Sequence, residues 1–370
     1  MNHRRIYRFL ILPVLALAPS AFAKTYYVGA CHANSYATIS AAVAAAPAGA
    51  TIEVCPGTYA EQIVLTQAVT LEGISSNGSD QAMVVSPPNG LVVNATDDMG
   101  DLIAAQVVAD PISGFTISNL TFDASNNEVS QDAYVVGILV QNSSGTIKDV
   151  VTRYQTGGDG GIGIWIQGGQ PNPVVTVENS SIHDFDYIGI WTQAGTGTGG
   201  LTSTLKNNFV NGDTASGIIG VLDVEVGDGA TNTVTSNTLV GGETGISVSG
   251  GAGGTISKNN LINNGVAIAI GADGNTGGSI SVTSNYIWQA RSEGIVVYSG
   301  LPEVQKNTIA GTPTAIDFFC NGDSNMKLNT ILDANVGDFN VPVGFMTGDS
   351  YSDVAAINES CSGPAARPRR

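Results

Sequence analysis

Positive charge is what this sequence has least of. Its 370 residues hold 14 Lys and Arg against 31 Asp and Glu, with 3 His. That balance argues against nucleic acid or an anionic membrane as partner, since both require a basic footprint. Charge of either sign is scarce, at 12% of the chain, so Asn, Thr, Ser, Gln and Gly must cover the surface. Helical periodicity is confined to one short stretch. No apolar run is long enough to cross a bilayer as a helix, so membrane insertion is not expected. No Ser/His/Asp constellation, zinc spacing, P-loop or dinucleotide fingerprint is present.

Residues 1–23 read as a secretory signal peptide. Arg4, Arg5 and Arg8 form its basic start, Phe9 to Ala18 its apolar core, and Ala21-Phe22-Ala23 an A-x-A cleavage site. Removing those three Arg leaves 11 basic against 31 acidic residues, a formal net charge of −20. The expected location is secreted or periplasmic. A polyanionic glycan would be repelled unless calcium bridged it, so calcium is the one cofactor left open. The acidic stretch Asp97, Asp98 and Asp101 would suit such an ion, or equally a solvated turn. Four Cys in an exported chain suggest two disulfides. The simplest pairing is Cys31–Cys55 with Cys320–Cys361, the other two connectivities remaining open. Nothing specifies an oligomer, and a monomer is expected.

What fills the chain is a two-part phrase recurring every 20 to 30 residues. One half is Gly-Ile: Gly137/Ile138, Gly163/Ile164, Gly189/Ile190, Gly217/Ile218, Gly245/Ile246 and Gly294/Ile295, with Gly265/Val266 as a variant. The other half is Asn two residues before an apolar anchor: Asn207/Phe209, Asn237/Leu239, Asn259/Leu261, Asn285/Ile287, Asn307/Ile309 and Asn329/Ile331. Adding Phe122, Val151 and Ile182, the anchors run at spacings of 29, 31, 27, 30, 22, 26, 22 and 22 residues. Two short strand signals per period, with no helix between them, predict an all-β solenoid built as a single-stranded right-handed parallel β-helix. Eleven or twelve coils at about 4.8 Å each would make a rod roughly 55 Å long. The recurring Asn is expected to form an internal amide ladder and to tolerate the left-handed backbone of a sharp bend. Lys148, Lys206, Lys258 and Lys306 read as a solvated edge.

The remaining segments divide the chain. Residues 24–50 form an N-terminal cap with a short helix over Ser35 to Ala46, N-capped by Ser35 and stopped at Pro47. Residues 51–345 form the β-helix, and 346–370 a C-terminal cap and disordered tail.

Alternate strand residues share a face, which turns the phrase into a map. Counting from each Gly, the +1 column is aliphatic core. The +2 column, with Leu139, Trp165, Trp191 and Ser247, points outward, as does the +4 column, with Gln141, Gln167 and Gln193. Nearby turns carry Arg153, Asp159, His183, Asp184, Asp186, Tyr187 and Asp213. Exposed indoles flanked by amides and carboxylates suit a sugar chain, whose C–H faces lie on rings while hydroxyls bond to polar groups. The competing expectation is that an insertion such as Ser125 to Asp132 covers both Trp, which then only pack.

These phrases, with the segment ATISAAVAAAPAGATIEVCPGTYAEQIVL, resemble the right-handed parallel β-helix proteins of the pectin-lyase-like superfamily over nearly the whole chain. Gly57-Thr58-Tyr59-Ala60-Glu61 is similar to the G-x-Y-x-E motif of pectin methylesterases, but the Arg that those esterases need is missing from the repeats near Asp317-Phe318-Phe319. The Gly-His-Gly and Arg-x-Lys motifs of polygalacturonases are absent. The resemblance implies a fold that hosts lyases, hydrolases, esterases, epimerases and non-catalytic binders. Three readings follow. The chain is a polysaccharide lyase or related enzyme using Arg153, Asp159, His183 and Asp186, with a base beside acidic groups. Or it binds a polysaccharide or cell-surface glycan through Trp165, Trp191, Gln141, Gln167, Gln193, Asp184, Tyr187 and Asp213. Or it is a non-catalytic structural or adhesive extracellular solenoid.

Overall fold

A computed structural model describes residues 24–74, 82–129, 132–169, 171–195, 199–212, 222–227, 229–271, 279–300, 302–319, 325–339, 346–347 and 349–358. The leader, Asp213, Cys320 and Cys361 lie outside these residues. The fold is an all-β, right-handed parallel solenoid of about 11 turns. From the strand Thr51–Val54 onward, the turns lay strands on three faces. The first face is a 13-stranded sheet running from Thr25–Val28 to Met346–Thr347. A short face stacks strands such as Leu120–Asp123, Val151–Arg153, Ser181–His183 and Phe209–Asn211. A long face stacks Leu102–Ala109, Tyr134–Gln141, Gly160–Gln167, Ile188–Gln193 and Leu222–Gly227.

The Gly of the Gly-Ile phrase has a steric cause. A Cβ on Gly163 would stand 2.5 Å from the Ile182 side chain and 2.6 Å from the Gly189 carbonyl oxygen on the next turn. The following Ile is then free to point into the shared core, where Ile138, Ile164, Ile190 and Ile246 are fully buried.

The Asn ladder is present and continuous. Asn237 donates its backbone N–H to Asn259 Oδ1 at 2.9 Å, and its side-chain amide to that same oxygen and to the Leu205 carbonyl. Asn208, Asn259, Asn285 and Asn307 repeat the pattern, and Asn329 closes it on the Asp349 carboxylate. The bend belongs to the residue before each ladder Asn. Asn207, Ser236, Lys258, Ser284 and Lys306 hold φ between 55° and 58°. A ladder Asn is therefore fixed by its amide bonds, and its neighbour absorbs the left-handed backbone.

Several registers differ from the sequence expectation. The ladder residue is Asn208, not Asn207, and its buried anchor is Val210, because Phe209 faces solvent. Thr152, not Val151, occupies the anchor column. Ile268, not Val266, pairs with Ile246 and Ile295. The strand after Ile188–Gln193 is Leu222–Gly227, so Asp223-Val224 stands where Gly217-Ile218 was expected. The slips at Val151, Phe209 and Ile218 arise where an insertion changes the period, whereas Val266 follows a Gly two residues ahead of the position that pairs. Hydrogen bonding to the previous turn, not sequence spacing, sets the register.

At the N-terminal end the helix covers Ile39–Ala45. Thr38, not Ser35, is its N-cap, accepting from the Ala41 N–H. Glu61 completes the cap, its carboxylate accepting from the backbone N–H groups of Ile39 at 2.7 Å and Ser40 at 2.9 Å. Tyr59 donates its hydroxyl to the Cys55 carbonyl at 2.8 Å, and Cys55 is joined to Cys31 by a disulfide. The G-x-Y-x-E segment thus ties the helix to the first turns.

Candidate functional site

The outer face of the long sheet carries a second apolar cluster, separate from the core, built on Val136, Leu139, Ile162 and Trp165. Its central column reads Val108, Leu139, Trp165, Trp191, Glu225, Ser247, Ala269, Val296 in strand register. Trp165 and Trp191 stack, with centroids 4.5 Å apart and planes within 6°. Tyr134 meets Trp165 edge-on at 5.4 Å, and Tyr187 meets Trp191 edge-on at 6.3 Å. Parallel β-structure explains the stack, since in-register neighbours repeat at about 4.8 Å.

The expectation that both indoles are exposed needs correction. Trp165 is fully buried, whereas Trp191, Tyr134 and Tyr187 are half-buried. The covering segment also differs from the one expected. Val129 packs with Leu91, Ala104 and Val135 in a third cluster. It is Ala95, in the strand Ala95–Thr96, that packs with the Trp165 cluster. Gln141, Gln167 and Gln193 are all buried. Gln141 donates to Gln167 Oε1 at 2.5 Å and to the Thr96 carbonyl at 2.8 Å, so this amide row anchors the covering segment. Gln167 Nε2 and the Trp191 indole N–H are buried with no protein acceptor.

Past Trp191 the column continues as Glu225, Ser247 and a buried Ala269, a step down in side-chain size, here called the ledge, beside the Trp191 ring. Glu225 is half-buried and accepts a hydrogen bond from Ser249 Oγ at 3.0 Å. Burial, and secondly the Glu225 charge, raise the pKa of the Tyr187 hydroxyl. Burial likewise raises that of Tyr134, aided by Tyr187, Asp101, Asp159 and Asp97. Glu225 was missed in the sequence because the long period before Leu222 hides the register; the alternation Leu222, Val224, Val226 was the available signal.

The residues read as an acid–base group are held by other partners. Arg153 Nε donates to Asp123 Oδ2 at 2.8 Å on the short face. Burial opposes ionisation of Asp123, but hydrogen bonds from Ser125 and from Arg153 outweigh it and hold the carboxyl below its ordinary range. His183 sits beside Arg153 in register and meets Asp184 Oδ2 at 2.6 Å. Asp184 occupies a bend with φ 55°. Asp186 accepts the backbone N–H groups of Gly157 at 2.7 Å and Gly161 at 2.5 Å, fixing the turn that carries exposed Asp159. Arg153 and His183 lie on the short face, whereas the tryptophans lie on the long one. Among the described residues no group of three or more His, Cys, Asp or Glu is arranged to hold a metal ion.

A family model for the right-handed β-helix region matches residues 106–277. No curated protein matches the chain. Among solved structures, it is similar to the GH136 lacto-N-biosidase from Eubacterium ramulus, at 11% identity and TM-score 0.59, covering 90% of this chain and 67% of the other. It is similar to the alginate lyase AlyF-OU02 in complex with G6, at 12% identity and TM-score 0.56, covering 91% and 88%. The Family 28 exopolygalacturonase of Yersinia enterocolitica gives 14% identity and TM-score 0.52, covering 91% and 79%. At these identities the likeness is one of fold.

Proposed function

We propose that this right-handed parallel β-helix protein binds a carbohydrate chain along the outer face of its long sheet, as a non-catalytic exported binder. One observation carries the reading. Trp191 is half-buried, stacked on a fully buried Trp165, and presents its ring beside the ledge of Glu225, Ser247 and Ala269. A ring held rigidly at a step in a flat sheet offers a sugar its C–H contact at little entropic cost, with a carboxylate for hydroxyls. The fold likeness to carbohydrate-processing enzymes agrees with this partner class. Binding is favoured over lyase chemistry because Arg153 is paired with Asp123 on the short face and Asp186 accepts two backbone N–H groups.

Export rests on the leader at 1–23 and agrees with the Cys31–Cys55 disulfide. The helix Ile39–Ala45 serves as the N-terminal cap within 24–50, and the strands from Thr51–Val54 to Ser350–Asn358 form the solenoid body. The Cys320–Cys361 pairing expected from sequence lies outside the described residues, and the protein is proposed to act as a monomer.

The deciding experiment is tryptophan fluorescence titration with neutral and charged oligosaccharides, on the intact protein and on Trp191→Ala. Saturable binding lost in the variant supports the reading. A panel without any binder, or binding unchanged by Trp191→Ala, overturns it.

A further inference from the structure

Among the described residues, the long-sheet strands would offer a glycan on the ledge acidic groups and no Lys, Arg or His. Glu225 is the in-register neighbour of Trp191, and its charge adds to the raised pKa of the Tyr187 hydroxyl. Burial, with the charges of Asp101, Asp159 and Asp97, raises the pKa of the Tyr134 hydroxyl on the same cluster. The basic groups stand elsewhere. Arg153 pairs with Asp123 on the short face, Lys206 with Glu178 on the first face, and Arg291 donates to the carbonyls of Gly241 and Asn263.

Two physical effects then act in one direction. An indole face carries negative quadrupole potential and attracts a cation, most strongly when partly desolvated. A carboxylate one strand spacing away adds direct attraction, weakly screened because both groups are half-buried. A uronate carboxylate in the same position would instead face Glu225 with like charge.

We propose, resting on glycan binding at the ledge, that the sugar it selects carries a protonated amine. The ammonium of an amino sugar with free nitrogen lies between the Trp191 ring face and the Glu225 carboxylate. Uronic acid polymers are disfavoured there. The site thus differs in ligand charge from a surface that would need a cation to bridge a polyanion.

The test uses the intact protein and three oligomers of equal length, of glucosamine, N-acetylglucosamine and galacturonic acid, followed by calorimetry and tryptophan fluorescence. The glucosamine oligomer should bind roughly tenfold tighter than its acetylated form, the size of one partly desolvated cation–π contact. The galacturonate oligomer should bind most weakly. Glu225→Gln should collapse the amine preference, and Glu225→Asp should retain part of it, which also guards against misfolding of the first variant. Glu243→Gln, an exposed acid away from the ledge, should leave the preference in place. Equal affinity for the free and acetylated amines, or tightest binding of galacturonate, overturns the proposal while glycan binding stands. Equal loss in Glu243→Gln also overturns it, because the preference would then reflect net charge alone. If none of the three oligomers moves Trp191 fluorescence, glycan binding at the ledge fails and the amine proposal with it.

Discussion

Trp165 and Trp191 stack ring on ring at 4.5 Å, yet Trp165 is fully buried and Trp191 keeps part of its surface in solvent. The pair therefore divides into a packing residue and a presenting one. Trp165→Ala should cost about 3–5 kcal/mol of stability, as for other buried aromatic truncations. Trp191→Ala should cost clearly less but remove glycan binding. Thermal unfolding and fluorescence titration of the two variants side by side check this division.

Asn259 satisfies turns on both sides of itself. It donates to Val234 and Asn285 and accepts from Asn237. Asn259→Ala leaves the Asn237 N–H groups and the Val234 carbonyl without their partner inside the core. The expected loss is about 2–4 kcal/mol, since each buried orphan costs on the order of 1–3 kcal/mol. Asn207→Ser, at the exposed bend one residue from the ladder, should cost less than about 1 kcal/mol, because Ser236 and Ser284 already hold the same left-handed φ at equivalent bends. Urea denaturation of both variants tests the ladder against the bend.

Glu61 accepts the N–H groups of Ile39 and Ser40 at the helix start, where unpaired donors and the helix dipole favour an anion. Glu61→Ala should destabilise the N-terminal end by about 1–2 kcal/mol. Amide hydrogen exchange should show faster opening of residues 39–45, with the middle turns unaffected. Uniform loss of protection along the solenoid would contradict this local role.

Asp223 occupies the Gly column and is completely buried. Burial drives its pKa well above the ordinary value, only partly offset by the hydrogen bond from Asn264, nearby backbone amides of Gly212 and Gly242, and the Arg291 charge. A raised folded-state pKa stabilises the fold below the unfolded value, and that contribution is lost as pH rises. Stability should therefore decline from mildly acidic toward neutral pH through this group. Asp223→Asn should flatten that slope, as measured by urea midpoints across the pH range. A slope unchanged by the substitution would show that Asp223 does not carry it.

Much of the architecture was legible. The Gly-Ile phrase is forced by backbone approach between turns, and the Asn phrase by amide bonds along the stack, so both leave regular marks in sequence. The same regularity located the Trp165/Trp191 column, while the Cys31–Cys55 bridge followed from the simplest pairing of four Cys in an exported chain. The regularity failed at Phe209 and Val151, where a turn lengthens or shortens, and at Val266, where the Gly stands two residues ahead of the position that pairs. A one-residue slip exchanges the inner and outer faces, and Phe209 and Val210 look alike until the neighbouring turn fixes which one is buried.

By itself, the sequence determined the solenoid, its right-handed crossover, its scarcity of basic groups and the face on which aromatic rings gather. Those follow from repetition, chirality and composition, all properties of the chain alone. Tertiary structure decided which of two equivalent indoles reaches solvent, that Arg153 and Asp186 are held by structural partners, and that Glu225 stands beside Trp191. These depend on how one turn rests on another across an insertion, and that distance is set by packing rather than by spacing along the chain.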